Sequence, residues 1–157
     1  MLRSQLLKNQ RQAIGSIDFI KKTITSSAIT TSAQDLSSVA TGEIEIVQVI
    51  VKTDATGLAG GTNFSILSNN AKGVVNIFVE TVANLGANIT KVLATGPVAA
   101  DTTTSDSAPT VTGLLTVLEA GKKLQYLNTG SVGTGAGTID VYIMYRRLAQ
   151  SASIKAA

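Results

Sequence analysis

The side chains that could do acid–base chemistry in this chain are carboxylates, because the sequence contains no histidine and no cysteine. Histidine is the commonest general base near neutral pH and the commonest metal ligand, and cysteine supplies the thiolate nucleophile. Two carboxylate pairs are closely spaced, Glu43 with Glu45 and Asp101 with Asp106. Glycosidases need little more than two carboxylates, but they hold the sugar on aromatic platforms, and this chain has three Phe, three Tyr and no Trp. We therefore interpret these carboxylates as solvated groups and predict no enzymatic activity.

Two further segments have compositions that are found in binding loops. The stretch DTTTSDS at 101–107 offers oxygen ligands for Ca²⁺ but lacks the spacing of an EF-hand loop. The segment 128–138 is as rich in glycine as a phosphate-binding loop, with glycines at 130, 133, 135 and 137. A strand pattern rather than a helix pattern follows it, however, and no GK[ST] tripeptide occurs. The sequence therefore predicts no metal site and no cofactor. It predicts a flexible hairpin connection at 128–138, whose glycines would let a neighbouring subunit approach the backbone closely.

The positive charge is concentrated at the N-terminus. Of the net charge of +3, residues 1–22 contribute +4, because five basic residues stand against one Asp. Residues 1–14 can form a short helix with Leu2, Leu6 and Leu7 on one side, while Arg3 and Arg11 lie elsewhere. Such a short helix is marginal alone and needs a partner surface. We expect residues 1–15 to be a basic arm, and we do not expect it to bind nucleic acid, because no aromatic residues are interleaved with the charges.

The rest of the chain has the composition and patterning of β-strands. Val, Ile and Thr are abundant and are interrupted by glycine, and no helical pattern separates consecutive strand patterns. In 42–52 the alternation changes parity near Ile46–Val47, which indicates either a bulge or a strand buried on both faces. The segment 63–67 is short enough for an edge strand, and the polar segment 99–112 is expected to be an exposed loop. The other predicted strands lie in 17–33, 73–82, 88–95, 113–121, 122–127 and 139–148.

These roughly eight strands predict an all-β fold, an antiparallel two-sheet β-sandwich of the jelly-roll kind. The expected organisation is an N-terminal basic arm at 1–15, the β-sandwich domain at 16–150 and a flexible tail at 151–157. No secretory signal and no run of about 18 apolar residues is present, so we expect synthesis in the cytoplasm and no membrane span.

The last strand carries a cluster of residue types that protein interfaces favour, namely tyrosine and arginine. Tyr142, Tyr145, Arg146 and Arg147 lie close together there, either as a subunit contact or as a strand end whose charges sit in water. The candidate interface residues are these four together with five from the arm: Leu2, Arg3, Leu6, Leu7 and Arg11.

Two stretches resemble jelly-roll structural proteins of tailed bacteriophages, especially capsid decoration or cement proteins. They are ATGEIEIVQVIVKTDATGLAGGTNFSIL (40–67) and LEAGKKLQYLNTGSVGTGAGTIDVYIMYRRL (118–148), which cover 28 and 31 residues, or 59 of 157. The resemblance implies a virion protein, made in the host cytoplasm, that forms homo-oligomers and binds the major capsid protein or other virion proteins. It also implies an arm that docks on a neighbour, and it brings no active site.

Three other functions remain open from the residues. A phage tail or fibre component that contacts the host surface would have the same composition and strand patterning. A carbohydrate- or ligand-binding β-sandwich module would need an aromatic-lined face, and the low aromatic content argues against it. A hydrolase built on carboxylates is the remaining alternative.

Overall fold

The computed structural model describes residues 13–70, 73–94 and 117–157, and within them the protein is built from β-strands. The predicted all-β class is confirmed. The described residues form nine strands rather than about eight, because the two-residue β2 lies outside every predicted segment. Their bounds are β1 Ile17–Thr25, β2 Gln34–Asp35, β3 Ile44–Thr53, β4 Asn63–Asn70, β5 Gly73–Thr81, β6 Thr90–Ala94, β7 Val117–Leu118, β8 Leu124–Asn128 and β9 Thr138–Arg147, with short 3₁₀ helices at Ser26–Ala28 and Val82–Leu85.

The strands form two antiparallel sheets, as predicted for a sandwich. The five-stranded sheet has the order β1-β9-β3-β6, with β7 also pairing with β3, and the four-stranded sheet has the order β2-β8-β4-β5. The pairs β4–β5, β3–β6, β2–β8 and β1–β9 are nested, each enclosing the previous one along the chain. One long antiparallel hairpin rolled into two layers has this connectivity, which is that of a jelly roll.

The alternating residues of β9 show how the sequence fills the space between the sheets. Ile139, Val141, Ile143 and Tyr145 are buried, and the residues between them face outward. In β3 the pairing register with β9 shifts between Ile46 and Gln48, which confirms a bulge where the alternation changes parity. A second bulge, in which Ile77 of β5 is the extra residue, was not predicted.

The segment 63–67 is not an edge strand. It belongs to the eight-residue β4, which lies between β8 and β5, and residues 64–68 are buried in succession. Phe64 lies at the centre of an aromatic cluster, with ring centroids 6.5 Å from Phe78 and 6.3 Å from Tyr126. Strand length alone therefore misassigned this element, since burial of both faces marks it as central.

The glycine-rich segment after β8 is not a hairpin, because β8 and β9 belong to different sheets. It crosses between the layers and is hydrogen-bonded to two other loops: Gly133 N donates to Ile29 O at 2.8 Å, and Thr134 N donates to Ala59 O at 2.7 Å. A Cβ on Gly133 would collide with the backbone of Ser26. Gly133 is therefore required for close packing within the chain rather than for flexibility.

The C-terminal residues 151–157 have contacts that the expectation of a flexible tail did not include. Ala152 and Ile154 are buried in the main core. Thr41 N donates to Ser153 O at 3.0 Å, and Ser38 N donates to Lys155 O at 2.7 Å. The packed body therefore extends beyond residue 150, and the tail covers one end of the sandwich.

Candidate contact surface

The five candidate interface residues of the arm, Leu2, Arg3, Leu6, Leu7 and Arg11, lie outside the described residues. The same holds for Asp101 and Asp106 and for the predicted loop at 99–112. The arm's base is described: Gly15 N donates to Arg147 O at 2.7 Å, and the Ser16 N–H and hydroxyl both donate to Ala13 O. Gly15 has a φ of +83°, which fits the left-handed position of this turn. The turn fixes where the arm leaves the sandwich.

Strand β9 divides the four remaining candidates between its two faces. Tyr142 and Arg146 are on the outer face, whereas Tyr145 and Arg147 are buried with exposed fractions of 1% and 6%. Of the four, only Tyr142 and Arg146 therefore lie on the outer surface, and Tyr145 and Arg147 face the interior of the sandwich. Alternation is the reason, since both share the parity of Ile143.

The two inward residues hold the end of the sandwich together. Arg147 Nη2 lies 2.8 Å from the Asp18 carboxylate, Arg147 Nη1 donates to Ala152 O, and the guanidinium lies 5.9 Å from the Tyr145 ring centroid. Burial raises the pKa of the Tyr145 phenol. The Arg147 charge does not sit in water, and its role is internal.

The outer face of the five-stranded sheet is a grid set by the pairing registers of β1, β9, β3 and β6. Neighbouring outward residues form four rows: Thr23, Asp140, Lys52 and Thr90; then Lys21, Tyr142, Ile50 and Val92; then Phe19, Met144 and Gln48; then Ile17, Arg146 and Glu45. The two middle rows are mainly apolar, and charged residues border them.

Five neighbouring side chains in this grid form an apolar surface, which we call the outer patch: Ile17, Phe19, Ile50, Tyr142 and Met144. Phe19 is 63% exposed and Ile17 is 56% exposed, while the other three are half-buried. Phe19, Met144 and Ile17 line a shallow depression together with Asp18. Large apolar side chains grouped on an outer sheet face are typical of contact surfaces.

The charges around the outer patch are paired with each other. Lys21 Nζ lies 2.8 Å from Asp140 Oδ2 and 5.3 Å from the Tyr142 ring centroid, and Arg146 Nη1 lies 3.2 Å from Glu45 Oε2. The Asp140 hydrogen bond raises the pKa of Lys21. Glu45 is therefore held by an arginine, and Glu43, the other member of this closely spaced carboxylate pair, is exposed immediately before β3.

Outside the outer patch, the polar clusters of the described residues serve the fold itself. Among residues 13–70, 73–94 and 117–157, no three His, Cys, Asp or Glu side chains come together as metal ligands. In the same ranges, no helix is long and apolar enough to cross a membrane. The most buried carboxylate of these ranges is Glu80, 5% exposed, which accepts from Thr81 N and Asn84 Nδ2 and lies 3.9 Å from Lys91 Nζ. This pair links the edges of the two sheets.

Sequence reasoning missed Phe19, Ile17 and Met144. Strand β1 has apolar residues on both parities, Ile17 and Phe19 on one and Ile20 and Ile24 on the other. The pattern alone does not show which set faces the core. The register with β9 decides it, because the even-numbered residues of β1 lie opposite the inward residues of β9.

Comparison with known proteins finds likeness only among solved structures, since no family model and no curated protein matches the chain. A chain from the cyanophage Pam1 capsid asymmetric unit is similar over 85% of this chain and 86% of its own length, with 19% identity and a TM-score of 0.42. A chain from the disulfide-linked pili of Bacillus endospore appendages is similar over 87% and 93%, with 14% identity and a TM-score of 0.31. Infectious bursal disease virus, Gx strain, contributes a chain similar over 91% of this chain and 40% of its own, at 14% identity and a TM-score of 0.24. Likeness at this level assigns no function, and the jelly roll stands on its own strand order.

Proposed function

We propose that this protein is a non-enzymatic virion structural protein that decorates or cements a bacteriophage capsid through contacts between subunits. The observation that supports the proposal is the outer patch. The space between the sheets is already filled by the buried core, so Phe19 and Ile17 do not contribute to the interior of this chain. An apolar surface of this kind is stabilised when a partner removes it from water, at about 25 cal/mol per Å².

The charges around the patch suit a repeated contact. Lys21 with Asp140 and Arg146 with Glu45 are paired within the chain, so a partner does not have to compensate a large net charge. Each such contact is modest, but many copies held in one lattice multiply weak interfaces into a strong attachment. The proposed partners are the major capsid protein or other virion proteins together with further copies of this chain, and the proposed location is the virion.

The test combines solution mass with shell binding. Light scattering and negative-stain imaging of the purified protein would give a discrete oligomer, and pelleting with preformed capsid shells would show the oligomer bound to them. Phe19→Ser should weaken shell binding by about tenfold or more, as expected when a central apolar anchor is lost. Val74→Ser is the matched control, because Val74 is 62% exposed on β5 of the other sheet. A stable monomer that binds glycans and ignores shells would overturn the proposal.

A further inference from the structure

We propose that the outer patch of one copy receives residues 1–12 of a second copy, so that the arm of each subunit docks on the five-stranded sheet of its neighbour. The inference rests on the proposed function, in which copies of the chain lie side by side, and it names the partner of the patch.

The geometry favours contact through the sheet face rather than through its edge. Strand β1 is an edge strand, but Asp18 Oδ1 accepts a hydrogen bond from the Phe19 N–H at 2.9 Å, and Lys21 and Lys22 follow on the same strand. A backbone N–H that is already satisfied and two lysines discourage pairing with another strand. The apolar side chains of the outer patch are presented perpendicular to that edge, on the face.

The size of the arm fits the width of the face. Four strands spaced about 4.8 Å apart give a face roughly 19 Å wide. Twelve residues in helical form would be about 18 Å long. The sequence MLRSQLLKNQRQ at 1–12 supplies three leucines to cover Phe19 and Met144. By contrast, the whole face, about 19 Å by 30 Å, presents near 570 Å², less than the roughly 800 Å² per partner of a standard interface. Two bare sheet faces alone would therefore make a weak pair, and an arm adds area.

The charge of the arm fits the border of the outer patch. Residues 1–12 carry Arg3, Lys8 and Arg11 and no acidic residue. On the face, Lys21 and Arg146 are paired internally, whereas Glu43 is exposed immediately before β3, two residues from Glu45. An incoming basic segment therefore meets an exposed carboxylate beside the patch rather than an uncompensated cation.

The point of departure of the arm places it beside a neighbour's patch. The turn at Ala13–Ser16 is fixed to the end of β9 by the hydrogen bond from Gly15 N to Arg147 O. Ile14, which lies within this turn, is a further large apolar side chain that is mostly exposed, at 67%. The base of the arm therefore directly precedes Ile17 of β1, the member of the outer patch at the beginning of that strand.

The experiment is a complementation between two full-length variants. Leu6→Ser/Leu7→Ser impairs the arm and leaves the patch intact, whereas Phe19→Ser impairs the patch and leaves the arm intact. In sedimentation equilibrium, each variant alone should associate at least about tenfold more weakly than the unmodified protein. Mixing them should restore a one-to-one complex, because the arm of the Phe19→Ser chain can dock on the intact patch of the other. Val74→Ser should associate as the unmodified protein does, and unchanged thermal transitions establish that all variants are folded.

Three results would overturn the inference. Unmodified protein that stays monomeric at every concentration tested would exclude docking between copies. Single variants that associate normally would show that neither surface is used. Variants that lose association but do not complement each other would show that the arm and the outer patch do not bind each other. If complementation succeeds but the protein ignores capsid shells, the docking stands and the proposed function fails, so the two failures are distinguishable.

Discussion

The replacement Gly137→Ala tests whether the glycine-rich crossing is a tightly packed part of the fold. Gly137 precedes β9, and a Cβ at this position would meet the carbonyl of Gly57 at a separation that real Cβ atoms do not show. Relief by movement is hindered, because Asp54 holds both sides of the contact. Its carboxylate accepts from Gly57 N at 2.8 Å and from Thr138 N at 2.9 Å, and Gly137 O accepts from Ser26 N at 2.7 Å.

The expected loss of stability can be worked from these contacts. Overpacking a filled site costs about 1–3 kcal/mol. Displacing the loop also strains about two hydrogen bonds, each worth about 1 kcal/mol net. We therefore expect Gly137→Ala to lower the free energy of unfolding by about 3–5 kcal/mol. For a chain of this size that corresponds to a fall in Tm of about 6–20 °C.

The assay is equilibrium unfolding in urea with Gly86→Ala as the matched control. Gly86 has a φ of −65°, and the atom nearest to a Cβ placed there would be Ala83 O at 4.0 Å. The control should be neutral or stabilising by less than about 1 kcal/mol, since alanine restricts the unfolded chain. If Gly137→Ala loses less than about 1 kcal/mol, the crossing is loosely packed and the reasoning is refuted.

Three further perturbations test the ends of the sandwich. Arg147→Met should cost about 2–3 kcal/mol, because it removes an internal hydrogen bond and an ion pair whose arginine is buried. Arg146→Met breaks an exposed pair and should cost less than about 1 kcal/mol in the same urea assay. Equal costs would contradict the assignment of faces. Ile154→Ala should cost about 2–4 kcal/mol in calorimetry and Lys155→Ala less than about 0.5 kcal/mol, and a neutral Ile154→Ala would mean that the tail does not pack. Hydrogen bonds from backbone N–H groups lower the pKa of Asp54 from 3.8, so the stability that its carboxylate contributes is present above the unfolded pKa and is lost as pH falls through the folded pKa. Urea titrations from pH 5 to about pH 2 should therefore show a smaller loss of unfolding free energy for Asp54→Asn than for the unmodified protein. Identical dependence of the unfolding free energy on pH would exclude this role of Asp54.

The faces of individual strands could be predicted from local alternation, because a period of two is a property of the strand itself. This holds for β9, and the parity change in β3 indicated the bulge. The burial of Arg147 could also have been predicted from the alternation, because Arg147 has the same strand parity as Ile143 and Tyr145. Its charge argued for water, and only the position of Asp18, more than a hundred residues away along the chain, explains how that charge is satisfied.

The partners of strands could not be predicted in the same way, because pairing depends on contacts distant in sequence. Strand β4 was assigned to an edge from its length, yet it pairs with β5 on one side and with β8 on the other. The tail 151–157 contains one large apolar residue, Ile154, and its long-range backbone hydrogen bonds lie with residues 36–41. Nothing within the seven residues of the tail specifies that surface.

The contacts that the glycine-rich loops make within the chain also limit where a partner can bind. Glycine-rich loops were expected to give adaptable contacts to a neighbouring subunit, but Gly133 and Gly137 are occupied by close approaches to Ser26 and Gly57 of the same chain. A partner that bound there through the glycine backbones would have to displace those internal contacts, at the cost estimated for Gly137→Ala. The outer patch needs no such rearrangement, because its side chains are exposed in the folded chain and its strands are held by regular pairing on a filled core. For equal gain in buried apolar area, docking on the sheet face is therefore favoured over docking on the loops.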